Sequence, residues 1–161
     1  MKSTGEVMGI DETFLSSYIK SQIACGNILP SKGTVFISID NDNKKFIIEI
    51  AQKLKELDFN LLATKGTAEY LNSNNIKTKI VNKVKEGNPH VVDSLINNKI
   101  QLVINTTKTQ SSIRDSYSIR RTSLMYNIPY YTTIAGAKVA VDAIEHMKTQ
   151  EFTIKSLQTI N

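Results

Sequence analysis

Five short runs of β-branched and apolar residues, each bounded by turn residues and each followed by a segment of helical periodicity, leave this chain very few folds. The runs are TVFISI (34–39), NLLAT (60–64), TKIV (78–81), IQLVINT (100–106) and IPYYTT (128–133). After the first, Asp42 or Asn43 is placed to cap a helix whose apolar face is Phe46, Ile47, Ile50, Leu54 and Leu57. Helical patterns follow at 66–75, ended by an Asn-rich stretch, and at 91–98, 114–127 and 135–148. The last turns Ala137, Ala140, Val141, Ile144 and Met147 inward. Such alternation predicts parallel strands joined by right-handed crossovers: a three-layer α/β/α domain around a five-stranded parallel sheet.

Ahead of the first strand, residues 12–24 set Phe14, Leu15, Tyr18, Ile19 and Ile23 on one helical face, and Gly26 and Pro30 end that helix. Residues 1–9 carry no periodicity and read as a tail or linker. Residues 84–90 read as a loop, and the polar 107–113 as a mobile one; 149–161 have no assignable pattern.

At 161 residues, 40% hydrophobic and 22% charged, the chain fits one globular domain with a real core. It has no apolar run of about 18 residues, so no membrane span is expected, and its opening MKSTGEVMG lacks the apolar core of a secretory signal. The net charge is +5, but the lysines are dispersed and no cluster interleaves basic with aromatic residues. Neither nucleic acid nor membrane is therefore expected as a partner, and the expected compartment is the cytoplasm. Cys25, the single cysteine, excludes an internal disulfide and is expected to be a buried small hydrophobe.

In sheets of this kind ligands bind beyond the C-terminal ends of the strands. After the second run comes Ala63-Thr64-Lys65-Gly66-Thr67, a strand passing through glycine into a helix start. Gly66 allows close backbone approach, free N–H groups favour an anion, and Thr64 and Thr67 add hydroxyls. The same residues also read as a plain βα turn capped by Thr67. Asn105, Thr106 and Thr107 follow the fourth run, Lys44 stands near the helix after the first, and Lys83 follows the third. Each lysine alone reads as surface. Their coincidence at the strand ends predicts one groove for a phosphate or carboxylate, with no carboxylate at its centre.

Other chemistries lack their residues. Neither GxxxxGK[ST] nor GxGxxG occurs. His90 and His146 are too isolated to form a metal site with one cysteine. His90 reads as a loop-ordering or partner-facing side chain rather than a base, and Arg120 and Arg121 as solvated or interdomain.

The stretches GTVFISI, ATKGTAEYL, VNKVKEGNPHVVD, LVINTT and IRRTSLMYNIPYYTT, in this order and spacing, resemble the C-terminal allosteric domain of the carbamoyl phosphate synthetase large subunit. KSTGEVMG (2–9) resembles the end of that subunit's second ATP-grasp half, followed by a connecting helix with the turn LPSKG. The resemblance implies a methylglyoxal synthase-like fold. It divides the chain into residues 1–32, the end of the synthetase half with its connecting helix, and 33–161, the ligand-binding domain. It further implies a non-catalytic regulatory module for UMP or IMP, contacting Lys44, Thr64, Gly66, Thr67, Lys83, Asn105, Thr106, Thr107 and, near the nucleoside, Asp115. Thr132 matches a threonine that faces ornithine. The module itself needs no cofactor. The implied parent is an ATP-dependent carbon–nitrogen ligase of pyrimidine and arginine biosynthesis, using ATP with Mg or Mn. Its partners are its own synthetase domains and a glutaminase small subunit. An enzymatic alternative is a methylglyoxal synthase-like lyase. The position of that family's proton-abstracting aspartate holds Asn88 here, and an amide is no base. Its catalytic histidine has no counterpart in TKTQSSI.

Overall fold

A computed structural model describes residues 2–3, 5–83, 86–87, 89–106 and 110–150, and for 2, 3 and 110–115 the backbone alone. The chain opens with a short antiparallel pair, β1 (Lys2–Ser3) and β2 (Glu6–Val7), where the sequence suggested only a tail. Helix α1 (Phe14–Ala24) follows, capped by the Thr13 hydroxyl, which accepts the Ser16 N–H. Then strands and helices alternate: β3 (Thr34–Ser38), α2 (Lys44–Glu56), β4 (Asn60–Ala63), α3 (Lys65–Ser73), β5 (Lys79–Ile80), α4 (Val91–Ile96), β6 (Leu102–Asn105), α5 (Gln110–Met125), β7 (Tyr130–Tyr131) and α6 (Ile134–Thr149).

The five strands β3–β7 form one parallel sheet in the order β5-β4-β3-β6-β7, as the alternation predicts. The chain therefore builds outward from β3 to one edge, returns, and continues from β6 to the other edge. Because crossovers keep one hand, reversing direction moves the helices to the opposite face. Side-chain alternation records this. Val35, Ile37, Leu61, Ala63, Leu102 and Ile104 pack with residues of α1, α2, α3 and α6, whereas Phe36 and Val103 pack with α4 and α5 through Val91, Leu95 and Ile119. The point of reversal lies between β3 and β6, which opens a crevice beyond their C-terminal ends.

Several expectations need correction. The buried stripe of α2 is Ile47, Ile50, Ala51 and Leu54, at helical spacing, while Phe46 lies on its flank, 51% exposed under the Lys45 ammonium. In α6, Met147 falls in the last turn, 38% exposed. Cys25 is exposed, because it closes α1 and the left-handed Gly26 then turns the chain away; its thiol donates to Gln22 O at 3.1 Å. Helix α5 begins at Gln110 rather than 114, so residues 110–113 are helix, not loop. A polar first turn shows no apolar period by which to find it. Asn43, one of the two expected cap positions, is the N-cap residue of α2, but its side chain makes no capping bond. The Asp40 carboxylate accepts the Asn43 N–H (3.3 Å) and caps a 3₁₀ turn, Asn41–Asn43, that leads into it. No helix among the described residues is long and apolar enough to cross a membrane.

Candidate functional site

The crevice between β3 and β6 is stitched by side chains from three segments. Past the end of β3, the backbone continues through Ile39 and Asp40. The Ile39 N–H donates to Thr67 Oγ1 (3.2 Å), in the first turn of α3. The next N–H, of Asp40, donates to Thr106 Oγ1 (3.0 Å), just past β6. Strand β3 has no further neighbour to take these amides, so threonines on either side take them. That use explains why Thr64, Thr67 and Thr106 are 6%, 2% and 6% exposed, unusual burial for threonine. Thr64 Oγ1 in turn donates to Thr67 Oγ1 at 3.3 Å.

Helix α3 starts at this stitch. Its N-cap is Thr64, not Thr67, and the Thr64 side chain makes no capping bond. By contrast Thr13, His90 and Thr133 each cap their own helix with a side-chain acceptor. The leading N–H groups of a helix have no intrahelical partner, and its N-terminus carries a partial positive charge. Gly66 is the second residue of α3. A Cβ built on it would meet Lys44 Nζ at 3.7 Å, an ordinary contact, and its φ is not in the left-handed region. Neither backbone strain nor crowding by the described residues therefore requires glycine there. The absent side chain leaves open space before a positive helix end, with an ammonium beside it. Lys44, first residue of α2, is half-buried, and its Nζ also lies 5.9 Å from the Tyr70 ring centroid.

Lys44, Thr64, Gly66, Thr67 and Thr106 are thus brought together around Ile39–Asp40. Asn105 stands beside them, the last residue of β6, 2% exposed, with its Nδ2 donating to Tyr130 Oη at 2.8 Å. The remaining candidates are not joined to this cluster by any described contact. Lys83 is exposed beyond the edge strand β5, its backbone N–H bonded to Glu86. Thr132 is exposed between β7 and α6. Asp115 is helical in α5, with its side chain outside the described residues, and Thr107 and Asn88 lie outside them altogether.

One expectation about the groove fails. It holds a carboxylate: Asp40 Oδ2 accepts the Thr106 hydroxyl (2.6 Å) and the Asn43 amide (2.7 Å). The place of Asp40 beside Thr106 and of Tyr130 beside Asn105 was not expected from the sequence. An acidic residue directly after a strand and three before an asparagine is a turn-capping signal that marks the first residue; nothing local marks the second. Burial raises the Tyr130 phenol above its usual pKa, against the opposing pull of the Asn105 amide and the Arg120 charge. His90 does order its loop: it caps α4 reciprocally with Asp93, each side chain accepting the other's N–H. Among the described residues, no cluster of histidine, cysteine and carboxylates has the makings of a metal site.

The family model described as MGS-like domain matches residues 46–132, a span that holds Thr64–Thr67, Asn105 and Thr106 and starts just after Asp40 and Lys44. Over 158 residues the chain is 47% identical to the carbamoyl phosphate synthase large chain of Myxococcus xanthus, covering 98% of this chain and 15% of that protein. It is 48% identical to the carbamoyl phosphate synthase large chain, C-terminal section, of Methanopyrus kandleri, covering all of this chain and 30% of that one. The chain thus spans under a third of either relative. A crystal structure of methylglyoxal synthase from Elizabethkingia anophelis aligns with TM-score 0.53 and 18% identity, over 70% of this chain and 79% of that one, a likeness of fold. Sequence and sheet topology together place this chain in the MGS-like domain family.

Proposed function

We propose that this chain is the effector-binding module of a carbamoyl phosphate synthase large chain, seating the phosphate of a nucleoside monophosphate such as UMP or IMP. The observation that carries the reading is the open face at Gly66, with the Lys44 ammonium beside it and the uncapped N-terminus of α3 behind it. A phosphate there would receive backbone N–H bonds and one charge-assisted bond, the strongest class of hydrogen bond available to it. The similarity of nearly the whole chain to a part of synthase large chains supports the setting. In that setting the remainder of the chain would supply ATP- and metal-dependent ligase chemistry, and a glutaminase subunit the nitrogen. Thr132, at the end of β7, would face ornithine across an interface with the synthetase part. A nucleotide that binds one arrangement of the whole enzyme more tightly biases it by its difference in affinity, typically about 1–3 kcal/mol.

Calorimetric titration of the chain with UMP and with IMP tests the reading. Binding in the micromolar to millimolar range is expected, with Lys44→Ala weakening it by about 1.5–3 kcal/mol, the usual loss of a hydrogen bond to a charged group. Absence of heat with both nucleotides at millimolar concentration overturns it.

A further inference from the structure

Lys20, Lys53 and Lys138 are each paired with carboxylates: Asp11 for the first, Asp142 and Glu145 for the second, Glu49 for the third. Lys44 is held differently. Its ammonium lies 5.9 Å from the centroid of the Tyr70 ring, and it has no carboxylate partner among the described residues. A carboxylate neutralises an ammonium and accepts its N–H bonds. A ring face attracts the charge through its quadrupole and leaves the N–H donors on the far side available. Tyr70 follows Gly66 by four residues in α3, so both lie on one face of that helix. The ammonium meets both at once, since a Cβ built on Gly66 would stand 3.7 Å from it. Core packing brings the two helices together: Ile47 and Ala51 of α2 share a buried cluster with Ala68 and Leu71 of α3. It does not account for Tyr70, which is half-buried and belongs to neither core cluster. A free lysine side chain has many rotamers, and fixing one of them on binding weakens affinity. A ring that already holds the ammonium beside Gly66 removes part of that loss.

We propose that Tyr70 is a positioning residue of the phosphate site: its ring holds the Lys44 ammonium beside Gly66, still charged and with N–H donors to offer the phosphate. This rests on the phosphate-seating reading above and deepens it. Tyr70 acts through Lys44 and not by a bond of its own to the ligand. The face of the ring carries the role, and the hydroxyl has no part in it. Phenylalanine should therefore serve in its place, and an aliphatic side chain of similar bulk should not.

The test is calorimetric titration of the whole chain with UMP, comparing the unsubstituted chain with Tyr70→Phe, Tyr70→Leu, Lys44→Ala and the Lys44→Ala/Tyr70→Leu pair. Tyr70→Leu is expected to weaken binding about two- to fivefold, the scale of a cation–π contact at a partly exposed site. Tyr70→Phe is expected to change it by less than about 1.5-fold. With Lys44→Ala in place, adding Tyr70→Leu is expected to change binding by less than about 1.5-fold, because the pairwise contact is already gone. The free chain supplies a readout independent of the ligand. The ring current of Tyr70 should shift the Lys44 ε-methylene protons upfield in NMR spectra, where Lys44→Ala identifies their signal. That shift should persist in Tyr70→Phe and vanish in Tyr70→Leu. Undiminished or tighter binding by Tyr70→Leu overturns the inference, as do an equal loss in Tyr70→Phe and an ordinary lysine shift in the unsubstituted chain. The same loss from Tyr70→Leu without Lys44 also overturns it, as the mark of a direct contact or a merely structural role. Should Lys44→Ala bind too weakly for that comparison, the Phe-to-Leu ratio and the proton shift decide. If UMP does not bind, or binds Lys44→Ala as well as the unsubstituted chain, phosphate seating itself fails and takes the inference with it. Should Tyr70→Leu fail to fold, Tyr70→Gln, a ringless helix former, replaces it.

Discussion

At the scale of single residues, Gly66 separates folding from function more cleanly than any other position. Glycine inside a helix costs about 0.5–1 kcal/mol relative to alanine. Here the backbone is helical, and a Cβ would touch Lys44 Nζ at a comfortable 3.7 Å. Gly66→Ala is therefore expected to hold or raise stability by up to about 1 kcal/mol in denaturant titrations, while weakening nucleotide binding, because the methyl group fills the phosphate's approach. If binding survives undiminished, the phosphate does not sit there. The sequence made this turn visible, since a strand running through glycine into a helix is a local pattern. It could not show that the flanking threonines are buried structural braces. Thr67 and Thr106 owe that role to the Ile39 and Asp40 amides, 28 and 66 residues distant along the chain. Nor could it place Asp40 inside the groove, because a capping aspartate reads the same wherever its turn lies.

At the scale of elements, helices α2 to α5 end in one way. Each runs into a non-glycine residue with positive φ: Asp58, Asn75, Asn98 and Asn127. In each the following residue returns a bond five positions back, Phe59 to Leu54, Ile76 to Leu71, Lys99 to Ser94 and Ile128 to Ser123. These are Schellman closures, in which a left-handed residue lets the orphan carbonyls of the last turn be satisfied. Asn and Asp tolerate that conformation better than other side chains, and glycine better still. Asn127→Gly is expected to stabilise the chain by a few tenths of a kcal/mol and Asn127→Ala to destabilise it by about 1 kcal/mol; opposite shifts in midpoint on urea unfolding would show it. Element order and sheet type were legible in the sequence because buried parallel strands are continuous apolar runs. Ends were less so: among these four helices only the Asn-rich stop after α3 stood out, although the same Asn-or-Asp signal recurs at the other three. The first turn of α5 escaped because three of its four residues are polar, and Cys25 because helical periodicity assigns faces and does not settle the exposure of a residue in the closing turn.

At the scale of the whole molecule, α1 is joined to β7 through two tyrosines and to α6 through a serine and a histidine. Tyr18 and Tyr131 share a hydrogen bond of 3.0 Å, and Ser16 meets His146 Nε2 at 2.9 Å. Burial raises the pKa of both phenols above the ordinary tyrosine value, most strongly for Tyr131, and burial does the same to Tyr130. A folded-state pKa above the unfolded value gives stability that is complete below the unfolded pKa and lost as pH rises through the folded one. The unfolded chain releases these protons near pH 10, so stability is expected to fall steadily above about that pH. Denaturant midpoints from pH 8 to 11 check this, and Tyr131→Phe should flatten the decline while costing the Tyr18 bond. The Lys53 pairs with Asp142 (2.7 Å) and Glu145 (2.6 Å), which tie α2 to α6, are partly exposed and contribute little by comparison.

The reversal of strand order between β3 and β6 has a further consequence. The walls of the crevice come from segments that meet only when β4, β3 and β6 have paired, so no single element forms it alone. A molecule lodged there rewards the assembled state alone, by RT ln(1 + [L]/Kd). Occupancy of a small polar cleft would then be felt as resistance to melting across all five strands at once, which makes the melting temperature a gauge of how full the cleft is.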